Sequence, residues 1–241
     1  MEKAYGGGTE APRDDDGTAA DRRRERAVHA GQALYTRAFL RVYDTAVYGI
    51  NSPLTWRCPK RRLIELYDSE VSARHLDVGV ATGVLLDECR FPGPRPAVTL
   101  MDLNPASLAT ASHRLRRYGP RLHRADALRP WGLPPGSADS VGMCYLLHCL
   151  PGALPDKAVV FDHARGVLRP GGTLFGATIL GEGPRHTRLA RAQLALANRL
   201  GVMCNREDRL ADLDQALDAA FATHSVAVVG SVALFRARVA D

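Results

Sequence analysis

The 241-residue chain contains no CxxC pair, and its five cysteines, Cys58, Cys89, Cys144, Cys149 and Cys204, are odd in number. Both facts argue against a disulfide framework or a zinc site, so these residues read as reduced, mostly buried thiols and no metal is expected. No apolar run approaches the ~20 residues of a membrane span. The opening MEKAYGGGTE also lacks the apolar segment of a signal peptide. Cytoplasmic residence without a membrane partner is the expectation. Lysine is nearly missing, since Lys3, Lys60 and Lys157 leave 29 of the 32 basic residues to arginine. With alanine abundant, this bias reads as the mark of a GC-rich genome. The basic residues are scattered, with no aromatic-lined stripe, so the net charge of +6 does not point to nucleic acid.

What is present is an ordinary globular composition, 46% hydrophobic and 24% charged, enough for a sizeable core. Residues 1–26 carry glycines, an acidic run and an arginine cluster with little to bury, and are expected to be a disordered tail. Residues 27–241 are expected to form a single domain in three stretches: a helical cover over 27–70, a cofactor-binding half over 71–180, and substrate-side helices with a terminal hairpin over 181–241. In the cover, apolar residues recur at helical spacing from Ala27 to Val47, Asn51-Ser52-Pro53 reads as a break, and Arg61 to Tyr67 as a short helix. Beyond Glu70, short apolar runs alternate with amphipathic segments. Strands are expected at 75–79, 97–102, 122–126, 140–147 and 172–180. This rhythm predicts an α/β fold with a doubly wound, mostly parallel sheet. The last two strands, Ser225–Val229 and Ala233–Arg238, are joined by a link too short for a parallel crossover, so they form an antiparallel hairpin.

In such a sheet the ligand lies beyond the carboxyl ends of the strands, where the first turn lets the backbone come close. That turn here is Asp77-Val-Gly79-Val-Ala81-Thr-Gly83, with an acidic residue ahead of the first glycine. A carboxylate there repels a pyrophosphate and attracts an ammonium group. Asp102, ending the second strand, suits ribose hydroxyls, and Asp126, ending the third, suits an adenine amino group. Three acids at three strand ends suggest an adenosine ligand with no phosphate and a cationic end, and S-adenosyl-L-methionine fits that description.

Asp77-Val-Gly-Val-Ala-Thr-Gly83, Met101-Asp-Leu-Asn104, Arg124-Ala-Asp-Ala127, Ala138-Asp-Ser-Val141 and Leu168-Arg-Pro-Gly-Gly-Thr173 together resemble the class I S-adenosylmethionine-dependent methyltransferases over residues 70–180. Trp56-Arg-Cys-Pro59 and the Leu146–Gly152 segment resemble a subgroup of small-molecule enzymes of microbial secondary metabolism. The resemblance implies seven strands in the order 3-2-1-4-5-7-6. It further implies Asp77, Gly79, Ala81 and Gly83 at the methionine end, and Asp102 at the ribose. Leu103, Asp126 and Ala127 would meet the adenine, with the backbone of Tyr145 and Leu146 at the aminopropyl arm. Ala81 departs from the commoner glycine.

For the chemistry, His148 just past the fourth strand is the best-placed base, with a histidine hydrogen-bonded in a structural turn as the competing reading. Tyr43 and Tyr48 are candidates to close over the sulfonium, whose charge an aromatic face favours. Glu182 and His186 follow the fifth strand and face the pocket unless their loop folds outward. The helix after them reads as packing rather than as a substrate wall. An Asn-Pro-Pro-Tyr motif is absent, which disfavours base or amide nitrogen. A small organic acceptor, methylated at oxygen, carbon or an amine, is therefore the expectation, with the oligomeric state open. Two alternatives remain: a protein that binds the cofactor without transferring methyl, and a nicotinamide-dependent dehydrogenase, although no Tyr-x-x-x-Lys pair is present.

Overall fold

The computed structural model describes Leu40 and residues 42–241. The expected tail over residues 1–26, and most of the helix expected from Ala27, lie outside the described residues. Seven strands form one sheet: β1 (Arg74–Val78), β2 (Ala97–Asp102), β3 (Arg121–Arg124), β4 (Ala138–Cys144), β5 (Leu168–Ile179), β6 (Thr223–Val229) and β7 (Val232–Arg238). Their order is β3-β2-β1-β4-β5-β7-β6. Strands β1 to β5 pair in parallel, and β7 runs antiparallel to both β5 and β6. The hairpin thus places a reversed strand inside the sheet, as expected.

Among the described residues, from Asp44 on, seven α-helices cover the sheet: α1 (Lys60–Glu70), α2 (Val84–Glu88), α3 (Pro105–Arg114), α4 (Leu154–Lys157), α5 (Val159–Val167), α6 (Arg188–Arg199) and α7 (Leu210–Ala220). They divide between the two faces by the period-two alternation of the strands. Phe175, Val98 and Leu100 pack with Leu63 and Leu66 of α1, the apolar run of α2, and Leu108 and Ala111 of α3. Leu174, Met101 and Val141 point the other way, toward Phe161 and Ala164 of α5 and Leu213 and Leu217 of α7. Both faces are buried, which is what a parallel sheet requires.

Two expectations need correcting. The segment Asp44–Thr55 is one π-helix that runs through Asn51-Ser52-Pro53 without a break. A wide helix with i→i+5 bonds, such as Trp56 N–H to Asn51 O at 2.9 Å, accommodates a proline that an α-helix interior would reject. The third strand ends at Arg124, so Asp126 sits in the loop beyond it, where its Oδ1 accepts the Leu128 N–H at 2.9 Å.

Candidate functional site

Beyond the carboxyl ends of β1, β2 and β4 lies a cleft with about 780 Å³ of empty space, its mouth included. The β1 turn opens it. Gly79 adopts φ +74°, and a Cβ there would lie 2.8 Å from Leu146 Cδ1. The glycine is thus needed both for its conformation and for the close approach of the segment that follows β4. Ala81, at φ +46°, holds a left-handed conformation in spite of its methyl group.

Asp102 closes the opposite wall. Its Oδ1 accepts the Asn104 N–H at 2.8 Å and its Oδ2 the Ala81 N–H at 3.3 Å, so one carboxylate ties the β2 end to the β1 turn. Burial pushes its carboxyl up to about 6, and the backbone N–H donors around it hold that rise in check. Asn104 caps α3 by accepting the Ala106 N–H, with Pro105 in the first turn.

Leu103, Asp126, Ala127, Tyr145 and Leu146 complete the wall together with Tyr43. The lining thus holds two carboxylates and, among the described residues, no cation. That donor set suits a nucleoside ligand with a positive centre and no phosphate, so the residues present fit S-adenosyl-L-methionine.

Asp77 and Gly83 lie outside this lining. Tyr67 donates to Asp77 Oδ1 at 2.7 Å, and His75 Nε2 stands 3.6 Å from the same oxygen, so the buried carboxylate backs the turn from behind. A Cβ on Gly83 would lie 3.1 Å from Ala111 Cβ, which makes that glycine the close contact of α2 with α3.

A second chamber, about 690 Å³ with its mouth, adjoins the cleft, and Tyr43, Tyr145 and Cys149 line both. Val47, Asn51 and Trp56 from the cover form one wall. Gln193 and Ala197 of α6, followed by Val202 and Met203, form the other. Tyr145 is held at the boundary with φ +61°; its hydroxyl donates to Ser52 Oγ at 2.7 Å, and Ser52 in turn donates to the Cys58 carbonyl. Tyr48 is buried and stacks on Tyr145 with ring centroids 5.9 Å apart, so it supports the boundary and lines neither cavity.

His148 lines this chamber. Its Nδ1 accepts the Ile179 N–H at 3.3 Å and lies 3.5 Å from Thr178 Oγ1. Burial, with the Lys157 ammonium adding to it, lowers its imidazole to about 3.

The structure does not bring Glu182 or His186 to either cavity. Their loop folds outward because Glu182 pairs with Arg209 at 2.6 Å, while His186 bonds Ser231 Oγ at 2.9 Å and the Gly181 carbonyl at 3.1 Å. The residues that sequence reading passed over are Asn51, Gln193, Ala197 and Met203. Gln193 and Ala197 stand at i, i+4 spacing on α6, a face that its exposed neighbours Leu189 and Leu196 obscure in the sequence.

A family model described as "Methyltransferase domain" matches residues 76–174. Demethylluteothin O-methyltransferase of Streptomyces thioluteus is 42% identical over 211 residues, covering 88% of this chain and 92% of that one. A physcion biosynthesis cluster O-methyltransferase of Aspergillus chevalieri is 37% identical, covering 86% and 94%. Among solved structures, a DhpI–SAH complex shares the fold with a TM-score of 0.63 at 15% identity, covering 89% of this chain and 97% of that one.

Proposed function

This chain belongs to the class I S-adenosyl-L-methionine-dependent methyltransferases, and on that premise we propose that it methylates a hydroxyl oxygen of a small organic acceptor of secondary metabolism. The observation that carries the reading is the wall shared by the two cavities. A cleft with two carboxylates opens, past Tyr43, Tyr145 and Cys149, on a chamber of aromatic, amide and aliphatic groups. The O-methyltransferase names of the two relatives at 42% and 37% identity favour oxygen. An amine acceptor would be expected to meet a carboxylate, and among the described residues the chamber lining has none. The nicotinamide reading finds no support.

When bound, S-adenosyl-L-methionine supplies an electrophilic methyl group on a positively charged sulfur. In this reading Asp102 accepts from the ribose hydroxyls. Leu103 packs on the adenine, and Asp126 with Ala127 reads its edge. The Gly79–Ala81 turn and the backbone at Tyr145 and Leu146 take the methionine end, with Asp77 bracing the turn. Tyr43, which lines both cavities, sits where an aromatic face stabilises the sulfonium and aligns the acceptor.

Calorimetry with S-adenosyl-L-methionine, its demethylated product and NAD tests the assignment. Both adenosyl compounds should bind, and Asp102→Ala should weaken them by about 2 kcal/mol, the scale of a hydrogen bond to a charged group. Binding of NAD alone, or unchanged affinity in the variant, would refute it.

A further inference from the structure

We propose that His148 serves as a hydrogen-bond donor to the acceptor oxygen rather than as a base, and that the acceptor is an acidic enol or phenol that arrives already ionised. This inference rests on the proposed oxygen methylation. The Ile179 backbone N–H can only donate, and it points at His148 Nδ1 from 3.3 Å. Thr178 Oγ1, 3.5 Å away, is placed to donate to the same nitrogen. Nδ1 is therefore the acceptor of the ring, and in the neutral imidazole the single proton resides on Nε2.

The ring stays neutral at any ordinary pH, because burial and the Lys157 ammonium oppose a second proton. The remaining titratable groups around it do not reverse this. Lys157 is itself held by Asp208, with Nζ 2.8 Å from Oδ2, and the other neighbours are Tyr43, Tyr145, Cys149 and Cys204. Among the described residues Nε2 has no hydrogen-bond partner, while the residue lines the chamber. A nitrogen that already carries a proton cannot take one from a hydroxyl. It can donate to an oxyanion, and a charged acceptor makes such a bond worth more than a neutral one.

The proton balance then falls on the acceptor. Its hydroxyl proton passes to solvent on ionisation, before binding. The oxygen lone pair takes the methyl group, the C–S bonding pair stays with sulfur, and a single negative and a single positive charge leave two neutral products. Among the described residues the chamber offers no carboxylate or lysine to remove a proton, so a simple alcohol would bind without reacting.

The test uses three measurements on the full chain. Nitrogen-15 NMR of the wild-type imidazole should show Nε2 protonated and Nδ1 bare; a protonated Nδ1 overturns the proposal even if every variant fails to fold. With a series of substituted phenols, the rising limb of kcat/KM against pH should move with the acidity of the phenol. A limb fixed at one pH for all of them overturns it. His148→Gln places an amide N–H near the Nε2 position and should keep kcat within about fivefold of wild type, whereas His148→Leu should lose about 10–100-fold. Equal, large losses in both, at unchanged affinity for S-adenosyl-L-methionine, mark a base and overturn the inference while methylation of oxygen still stands. Transfer to amines and to no hydroxyl would overturn the proposed function itself, and this inference with it.

Discussion

At the scale of single residues, Asp102 ties the end of β2 to the β1 turn, and the proposed function adds a ligand-binding demand. Burial disfavours the charge and pushes its carboxyl up to about 6. A pKa raised by folding means that the protonated form suits the folded protein. The stabilisation it gives is fully present below about pH 4 and is lost as pH rises through about 6. The ionised form is the one that accepts strongly from two hydroxyls. Affinity for S-adenosyl-L-methionine should therefore climb between about pH 5 and 7 and level off above, and the thermal shift the ligand gives should grow over the same range. Calorimetry and melting curves across pH 5 to 8 check this, and a flat profile contradicts it. Asp102 and the β1 turn were legible in the sequence because an acid at a strand end and a glycine turn have a fixed place in a doubly wound sheet. Glu182 and His186 were not, since their partners Arg209 and Ser231 come from segments remote in sequence.

At the scale of elements, the cofactor half followed from period and turn signals, and the cover did not. Pro53 reads as a break under α-helical rules, yet the widened helix carries it. Three neighbouring strands crowd together at Gly176 of β5, where a Cβ would lie 2.6 Å from Phe235 Cζ on β7 and press on the Met143 carbonyl of β4. Three central strands leave no room for a methyl group there. Gly176→Ala should cost about 2–3 kcal/mol, as overpacking of a core does. Urea unfolding measures it, and a midpoint equal to that of the wild type would show that the strands yield.

Across the whole molecule, the segment that walls the chamber is anchored by a buried polar cluster. Lys157 Nζ, with no exposed side-chain surface, contacts Asp208 Oδ2 at 2.8 Å and the Cys204 carbonyl at 2.7 Å. Asn205 donates to the Ile179 carbonyl at 2.8 Å, and Asp208 accepts the Gly181 N–H on its backbone oxygen at 3.0 Å. Together these bonds join α4, the end of β5 and the chain entering α7. Lys157→Met would leave a buried carboxylate unpaired, at a cost of about 3–5 kcal/mol. The double variant Lys157→Met, Asp208→Leu should recover most of that loss; chemical denaturation of the single and double variants decides, and an intact single variant would exclude the anchor. In the sequence, Lys157 looks like one more charged residue on a helix, and nothing local marks its burial.

The wall common to the two cavities has a consequence for how such an enzyme can diversify. The cleft is set by strand ends in the middle of the sheet, where a change disturbs the fold. The two walls of the chamber are set by Asn51 of the cover and by Gln193 and Ala197 of α6 with Met203 beyond it, away from those strands. On the proposed assignment of the chamber to the acceptor, inheritance can alter those walls one residue at a time and leave the cleft untouched, so descendants of one ancestor can come to accept different scaffolds while sharing one source of methyl groups.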